Sequence, residues 1–162
     1  MSRQKGPRVL LVTGLTSVPL GGIEYHNLGN YTIAEPLFLH LRQTFPDAKI
    51  VTTLQMSERF CDVYGVASVR DRAVWSLGLR NLPNTCLALV LAVIVRLFGR
   101  LCPPLPKRGA PAKIMHTFCR ADLIVDFSGD LYGDNANKWR FLHENLRLAI
   151  GRILRKPTCM IA

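Results

Sequence analysis

The sequence predicts an α/β domain built on a Rossmann-like parallel sheet flanked by helices. Short apolar or β-branched runs at 9–13, 49–54, 66–69, 122–127 and 158–161 alternate with segments of helical period from one end of the chain to the other. The runs at 9–13 and 122–127 are nearly continuous apolar stretches, as strands covered on both faces require. Both are followed by loops rich in small residues. In a parallel α/β domain such loops lead to helix N-termini, whose free N–H groups and positive dipole end face the ligand side. A sheet of about five parallel strands follows, with 9–13 and 122–127 central and adjacent or nearly so.

The first strand, 9–13, leads through the glycine-containing loop 14–26 to Asn27-Leu28-Gly29-Asn30 and a helical run over 31–45. In that run Ile33, Leu37 and Leu41 recur at i, i+4, and Phe38 and Phe45 broaden the stripe. Pro36 is tolerated only in a first turn, so the regular helix is expected to start nearer Glu35. Pro46-Asp47 ends it, and 49–54 forms the second strand. Ser57 is the expected N-cap of a short helix over 58–64, with Gly65 just past its end. A third short strand over 66–69 precedes a helical stretch over 71–79.

Pro83-Asn84-Thr85 is expected to interrupt the chain before the apolar run 86–101, and the Pro/Gly-rich basic stretch 103–111 to be irregular. A turn or two of helix over 113–120 then leads into the strand 122–127. The last helix has Trp139, Leu142, Leu146, Ala149/Ile150 and Ile153 at helical spacing, with Lys138, Arg140, Arg147 and Arg152 on the remaining faces. Asp134 or Asn135 is placed to cap its start, Arg155-Lys156 suit its negative end, and Pro157 stops it before a final strand at 158–161.

At 162 residues the chain has room for one domain, and a hydrophobic content of 49% with 20% charged residues excludes wholesale disorder. Its 21 basic and 11 acidic residues leave a formal charge of +10. Such an excess suits an anionic partner (nucleotide, phosphorylated sugar, nucleic acid or anionic lipid) or simply a soluble basic surface. The cysteines, Cys61, Cys86, Cys102, Cys119 and Cys159, show no CxxC spacing and read as reduced core thiols, with neither a disulfide framework nor structural zinc. That composition fits a reducing, cytoplasmic setting. The basic N-terminus lacks a cleavable apolar region. The uninterrupted apolar run 86–95 falls short of the ~20 residues that span a bilayer and meets Arg96 and Arg100 when extended, which marks it as a buried or interfacial helix.

Two corners carry the functional reading. Asn27, Gly29 and Asn30 follow the first strand, and Gly14…Gly21-Gly22 has neither GxGxxG spacing nor a Walker lysine, so dinucleotide and P-loop readings are disfavoured. These residues can contact a ligand, or can serve only as turn and cap formers. The second corner is Ser128-Gly129-Asp130-Leu131-Tyr132-Gly133-Asp134. Asp130 can orient a hydroxyl or a protonated group, or form an Asx turn. Asp126, four residues earlier on the strand, lies about 13 Å from it in extended chain, which argues against a carboxylate pair. His26, His40, His116 and His143 are dispersed with no metal-ligand spacing, no GxSxG elbow occurs, and the basic face of the last helix reads as solvated. No cofactor or metal site is expected.

VLLVTG, EYHNLGNYTIAEPLFLHLRQTFPDAKIVT, ADLIVDFSGDLYGDN and GRILRKPTCMIA, in that order, resemble the N-terminal half of polysaccharide pyruvyl transferases. In that family a first strand leads to an N-x-G-D/N corner, and a later strand ends in G-G-D or S-G-D. Here Asn30 stands where the family often has Asp, the loop 14–26 is longer than usual, and the resemblance is weakest over 73–111. It implies two Rossmann-like domains facing across a cleft in a GT-B-like layout. It also implies transfer of pyruvyl from phosphoenolpyruvate to a sugar of a cell-surface polysaccharide. The residues that hold phosphoenolpyruvate are expected mainly in the C-terminal half, so residues 1–162 would form a single N-terminal domain, inactive alone. Asn27, Gly29, Asn30, Gly129 and Asp130 are carried over as the wall of the acceptor cleft.

The partners so implied are phosphoenolpyruvate and a glycan acceptor; separately, the basic helix face leaves room for peripheral contact with the inner face of the membrane, and no nucleic acid is expected. Two alternatives stay open: the N-terminal domain of a GT-B glycosyltransferase, and a non-catalytic basic binding module.

Overall fold

In the computed structural model, residues 7–14, 28–77, 79–99, 108–127 and 138–161 are described. They form a parallel five-stranded sheet with helices on both faces. The strands are β1 (Val9–Gly14), β2 (Lys49–Thr52), β3 (Val66–Ser68), β4 (Leu123–Phe127) and β5 (Thr158–Met160), in the order β3-β2-β1-β4-β5. The two most apolar runs, β1 and β4, are indeed central and adjacent, with Leu10 beside Leu123 and Gly14 beside Phe127. From β1 the chain builds outward through β2 and β3, then crosses back to add β4 and β5. The sheet therefore reverses its order of growth between β1 and β4, the topological switch point at which open α/β sheets bind ligands.

Strand alternation sorts the core into two halves. Leu10, Val12, Ile50 and Val125 point toward α1 (Leu28–Thr44) and α2 (Glu58–Tyr64), against Phe38, Leu41 and Cys61. Leu11 and Ile124 point the other way, toward Val74 of α3 (Arg72–Trp75), Phe118 of α5 (Ala110–Arg120) and Leu148 of α6 (Lys138–Ile153). Between α3 and α5, α4 (Leu82–Phe98) packs on α5 and α6 rather than on the sheet, and so forms an extra outer layer. At the N-terminal edge one carboxylate ties the central strands together: Asp122 Oδ2 accepts from the amides of Arg8 (2.9 Å) and Val9 (3.0 Å).

Local chemistry explains α2 well. Ser57 Oγ accepts from the Phe60 amide at 3.1 Å, and Gly65 closes the helix at φ 60°, a conformation that favours glycine. The side chain of Arg42 seals that corner by donating to the carbonyls of Gly65 and of Ala48, the latter at 2.7 Å.

Several elements depart from expectation. Helix α1 begins at Leu28, so Gly29 and Asn30 belong to its first turn and Pro36 lies in its interior. The packing of Leu37, Phe38 and Leu41 into the core holds the helix across the one backbone bond that Pro36 cannot make. Among the described residues of 71–79, helix covers Arg72–Trp75, capped by Asp71, whose side chain accepts from the Ala73 amide. Pro83 does not break the chain: it sits in the first turn of α4, where its missing N–H costs nothing. Pro111 does the same for α5, which therefore begins at Ala110 inside a stretch expected to be irregular.

Of the described cysteines only Cys61 is buried, and burial pushes its thiol pKa up; Cys86, Cys119 and Cys159 are exposed, contrary to a core role. Cys102 lies outside the described residues. Among the described residues no helix is long and apolar enough to cross a membrane.

Candidate functional site

The C-terminal ends of β1 and β4 place a polar cluster beneath the switch point. Thr13 and Asp126 are register partners, and pleat alternation sends both side chains to the face that Leu11 and Ile124 occupy one step earlier. There they meet the first half of α6. His143, Glu144 and Arg147 are all buried, at 0%, 1% and 1% exposure, and Thr13 and Asp126 are each 1% exposed.

The consequences for charge are specific. Burial pushes the Glu144 carboxyl above its ordinary range; the Arg147 guanidinium opposes that shift, and the neighbouring Asp126 adds to it. Neither oxygen of Glu144 has a hydrogen-bond partner, nor does Thr13 Oγ1. The Thr13 hydroxyl is near enough to favour the charged carboxylate weakly, but not in hydrogen-bonding geometry. Burial thus favours the protonated form of Glu144 relative to a solvated carboxyl, in a site where neither of its oxygens has a hydrogen-bond partner.

Arg147, one turn on, points to the end of α3. Its Nη2 donates to the Ser76 carbonyl at 2.9 Å, and Nη1 makes a longer contact of 3.4 Å to the Trp75 carbonyl. His143 meets Thr85 of α4, with Nε2 and Oγ1 2.5 Å apart. The three polar side chains of α6 thus face three different elements: the ends of the central strands, the α3–α4 connection and α4 itself.

Two further features shape this edge. A Cβ at Gly14 would stand 2.4 Å from the Phe127 carbonyl oxygen, so only glycine lets β1 and β4 stay paired to their ends. Beyond β2, Gln55 Nε2 donates to the carbonyls of Val69 (2.8 Å) and Thr53 (3.2 Å), and Ser68 Oγ donates to the Leu54 carbonyl at 2.8 Å. These bonds brace the loops that leave β2 and β3.

The site expected from sequence is met only in part. Asn27, Gly129 and Asp130 lie outside the described residues, as does His26. Gly29 and Asn30 lie in the first turn of α1, in the connection that leaves β1 at this same edge. Asp126, set aside when paired with Asp130, is instead part of a cluster with Glu144. Sequence reasoning alone does not place Glu144 or Arg147 in a site and puts Arg147 on a solvated face; it is buried. Their i, i+3 spacing with His143 one residue before Glu144 was the only sequence signal available, and it is indistinguishable from an exposed charged face.

Two grooves open elsewhere. One of about 440 Å³ runs past Arg42, Lys49, Asp62 and Gly65, and one of about 300 Å³ past Val9, Val51, Val69 and Arg120. Neither is lined by the cluster. Among the described residues no group of three His, Cys, Asp or Glu side chains is arranged to hold a metal ion.

No family model, no curated protein and no solved structure matches this chain.

Proposed function

We propose that this chain is the acceptor-side domain of a polysaccharide pyruvyl transferase-like enzyme, in which a Rossmann-like domain of GT-B type offers one wall of a cleft to a glycan acceptor while phosphoenolpyruvate is held largely by a second domain. One observation carries the reading. The two strands whose following loops bear the resemblance, β1 and β4, are neighbours in register to their last residues, Gly14 and Phe127, and flank the switch point of the sheet. The S-G-D corner at Ser128-Gly129-Asp130 therefore follows directly from the β4 end, and the loop toward Asn27 from the β1 end. A hydroxyl-rich ligand suits that edge, because the α1 N-terminus supplies donors without a formal charge. The basic excess of the chain would draw an anionic donor or glycan toward it.

The buried cluster has a supporting part. Glu144, Asp126 and Thr13 are sealed from solvent, so they set the potential under the edge and do not themselves touch the acceptor.

The test is a titration of this chain, labelled for amide NMR, with a panel of mono- and disaccharides, in parallel with a phosphate-release assay on phosphoenolpyruvate. The reading expects saturable shifts at Gly14 and Phe127 with at least one sugar and no phosphate release from this chain alone. Phosphoenolpyruvate turnover would place the catalytic groups within these residues. Shifts confined to the groove near Arg42 and Lys49, or none with any sugar, would refute the reading.

A further inference from the structure

We infer that the outward face of α4 docks on an anionic lipid surface. The inference stands apart from the pyruvyl transferase reading and uses none of its residues.

Helix α4 buries a narrow line of small residues, Thr85, Ala88 and Ala92, all at 0% exposure, against α5 and α6. A surface helix of a soluble domain then normally turns charged and polar side chains outward. This one does not. Leu87, Val90, Val93, Leu97 and Phe98 are exposed, from 38% at Val93 to 68% at Leu97, and they recur at a spacing that gathers them on one side. The helix contains no acidic residue. Its first buried contact, Thr85, touches His143 of α6; the half-exposed Trp139 stands one turn before His143, and the half-exposed Leu142 immediately before it. The apolar surface thus continues from α4 onto the start of α6, where an indole and two exposed cations, Lys138 and Arg140, stand at its border.

Charge decides the occupant. Between Asp71 and Asp122 the chain has eight lysines and arginines, from Arg72 to Arg120, and no acidic residue. Arg80 just before α4 and Arg96 within it are exposed beside the stripe. A second copy of the chain, meeting this face through a two-fold axis, would bring the same cations against one another. Nucleic acid would require polar contacts where the face presents aliphatic ones. A bilayer interface with anionic headgroups accepts both: the aliphatic stripe enters the headgroup–acyl boundary and the flanking arginines meet the lipid phosphates. Because α4 is not long and apolar enough to span a bilayer, the contact is peripheral.

The test is sedimentation of the whole chain with vesicles of pure phosphatidylcholine and with equimolar phosphatidylcholine and phosphatidylglycerol. Binding is expected to the anionic vesicles only, and to weaken as salt rises. The double variant Val90→Glu/Leu97→Glu changes two solvent-exposed positions and should weaken partition by about tenfold or more. Leu39→Glu, at an exposed position of α1 on the opposite face of the sheet, should leave it unchanged. Thermal melts of each variant separate loss of binding from loss of fold. Equal binding to both vesicles, binding to neither, or anionic binding that survives the double variant would overturn the inference. So would a concentration-dependent dimer that the double variant dissociates, which would assign the face to a second copy.

Discussion

Thr13 and Asp126 are register partners on the two central strands, and both side chains enter the helical layer at the point where Glu144 of α6 is buried. Polar residues at the ends of β1 and β4 thereby fix which side of α6 turns inward over its first two turns. The charge state of Glu144 follows from that enclosure.

Because burial raises the folded-state pKa of Glu144, the native chain holds this proton more tightly than the unfolded chain does. The stability it contributes is fully present below the unfolded carboxylate pKa and is lost as pH rises through the folded one. Arg147, Asp126 and Thr13 face the same carboxyl and modulate the shift without reversing it. Glu144→Gln should therefore remove a component of stability that declines with rising pH, and be at least as stable as the parent at neutral pH. Urea unfolding over a pH series is the check; parallel profiles for the two proteins would contradict the assignment.

Thr85 and His143 join α4 to α6 through a fully buried contact. Thr85→Val keeps the shape but leaves the imidazole nitrogen without that partner, at an expected cost of about 1–3 kcal/mol. Thr85→Ser should recover most of it. Denaturant midpoints that match the parent for Thr85→Val would show that the contact is dispensable.

Arg147 delivers a guanidinium to the Ser76 and Trp75 carbonyls from inside the core. Arg147→Met should cost about 2–4 kcal/mol, since it leaves buried acceptors unpaired and removes the cation that opposes the Glu144 shift. Amide exchange over α3 and the following residues should accelerate in the variant. Because the cation also restrains Glu144, Arg147→Met should cost less when combined with Glu144→Gln than alone; additive costs would show that the two residues are uncoupled.

Gly14 is the last residue of β1, and its missing Cβ is what admits the Phe127 carbonyl. Gly14→Ala should separate the ends of β1 and β4 and destabilise the chain by roughly 1–3 kcal/mol, because the obstacle is backbone and cannot rotate away. Under the proposed function it should also weaken sugar-induced shifts at Phe127. An alanine variant with an unchanged midpoint would mean the strand ends yield freely.

Much of the architecture was legible before any coordinates. The centrality of β1 and β4 follows from apolar runs that double-sided burial accommodates, and the other three strands from β-branched runs that alternate with helical segments. The ends of α2 follow from Ser57 and Gly65, and Pro157 follows α6, because capping and chain termination are chemistry of a few neighbouring residues.

What tertiary structure alone decided is which side of α6 turns inward and where α4 lies. The expected stripe of Trp139 and Leu142 is largely exposed, and the residues buried beside it are His143, Glu144 and Arg147. Further along the same helix Leu148 and Ile150 do enter the core, where they face Ile124 instead of Asp126. The sequence of α6 carries two overlapping helical stripes, and the opposing strand residues select between them turn by turn. Helix α4, the most apolar of the helices, lies outermost because α5 and α6 already cover the sheet on that side; it buries fully only a line of small residues, with Leu89, Leu91 and Val95 half-covered beside them. Hydrophobicity is a property of a segment, whereas burial depends on what the rest of the chain has already covered.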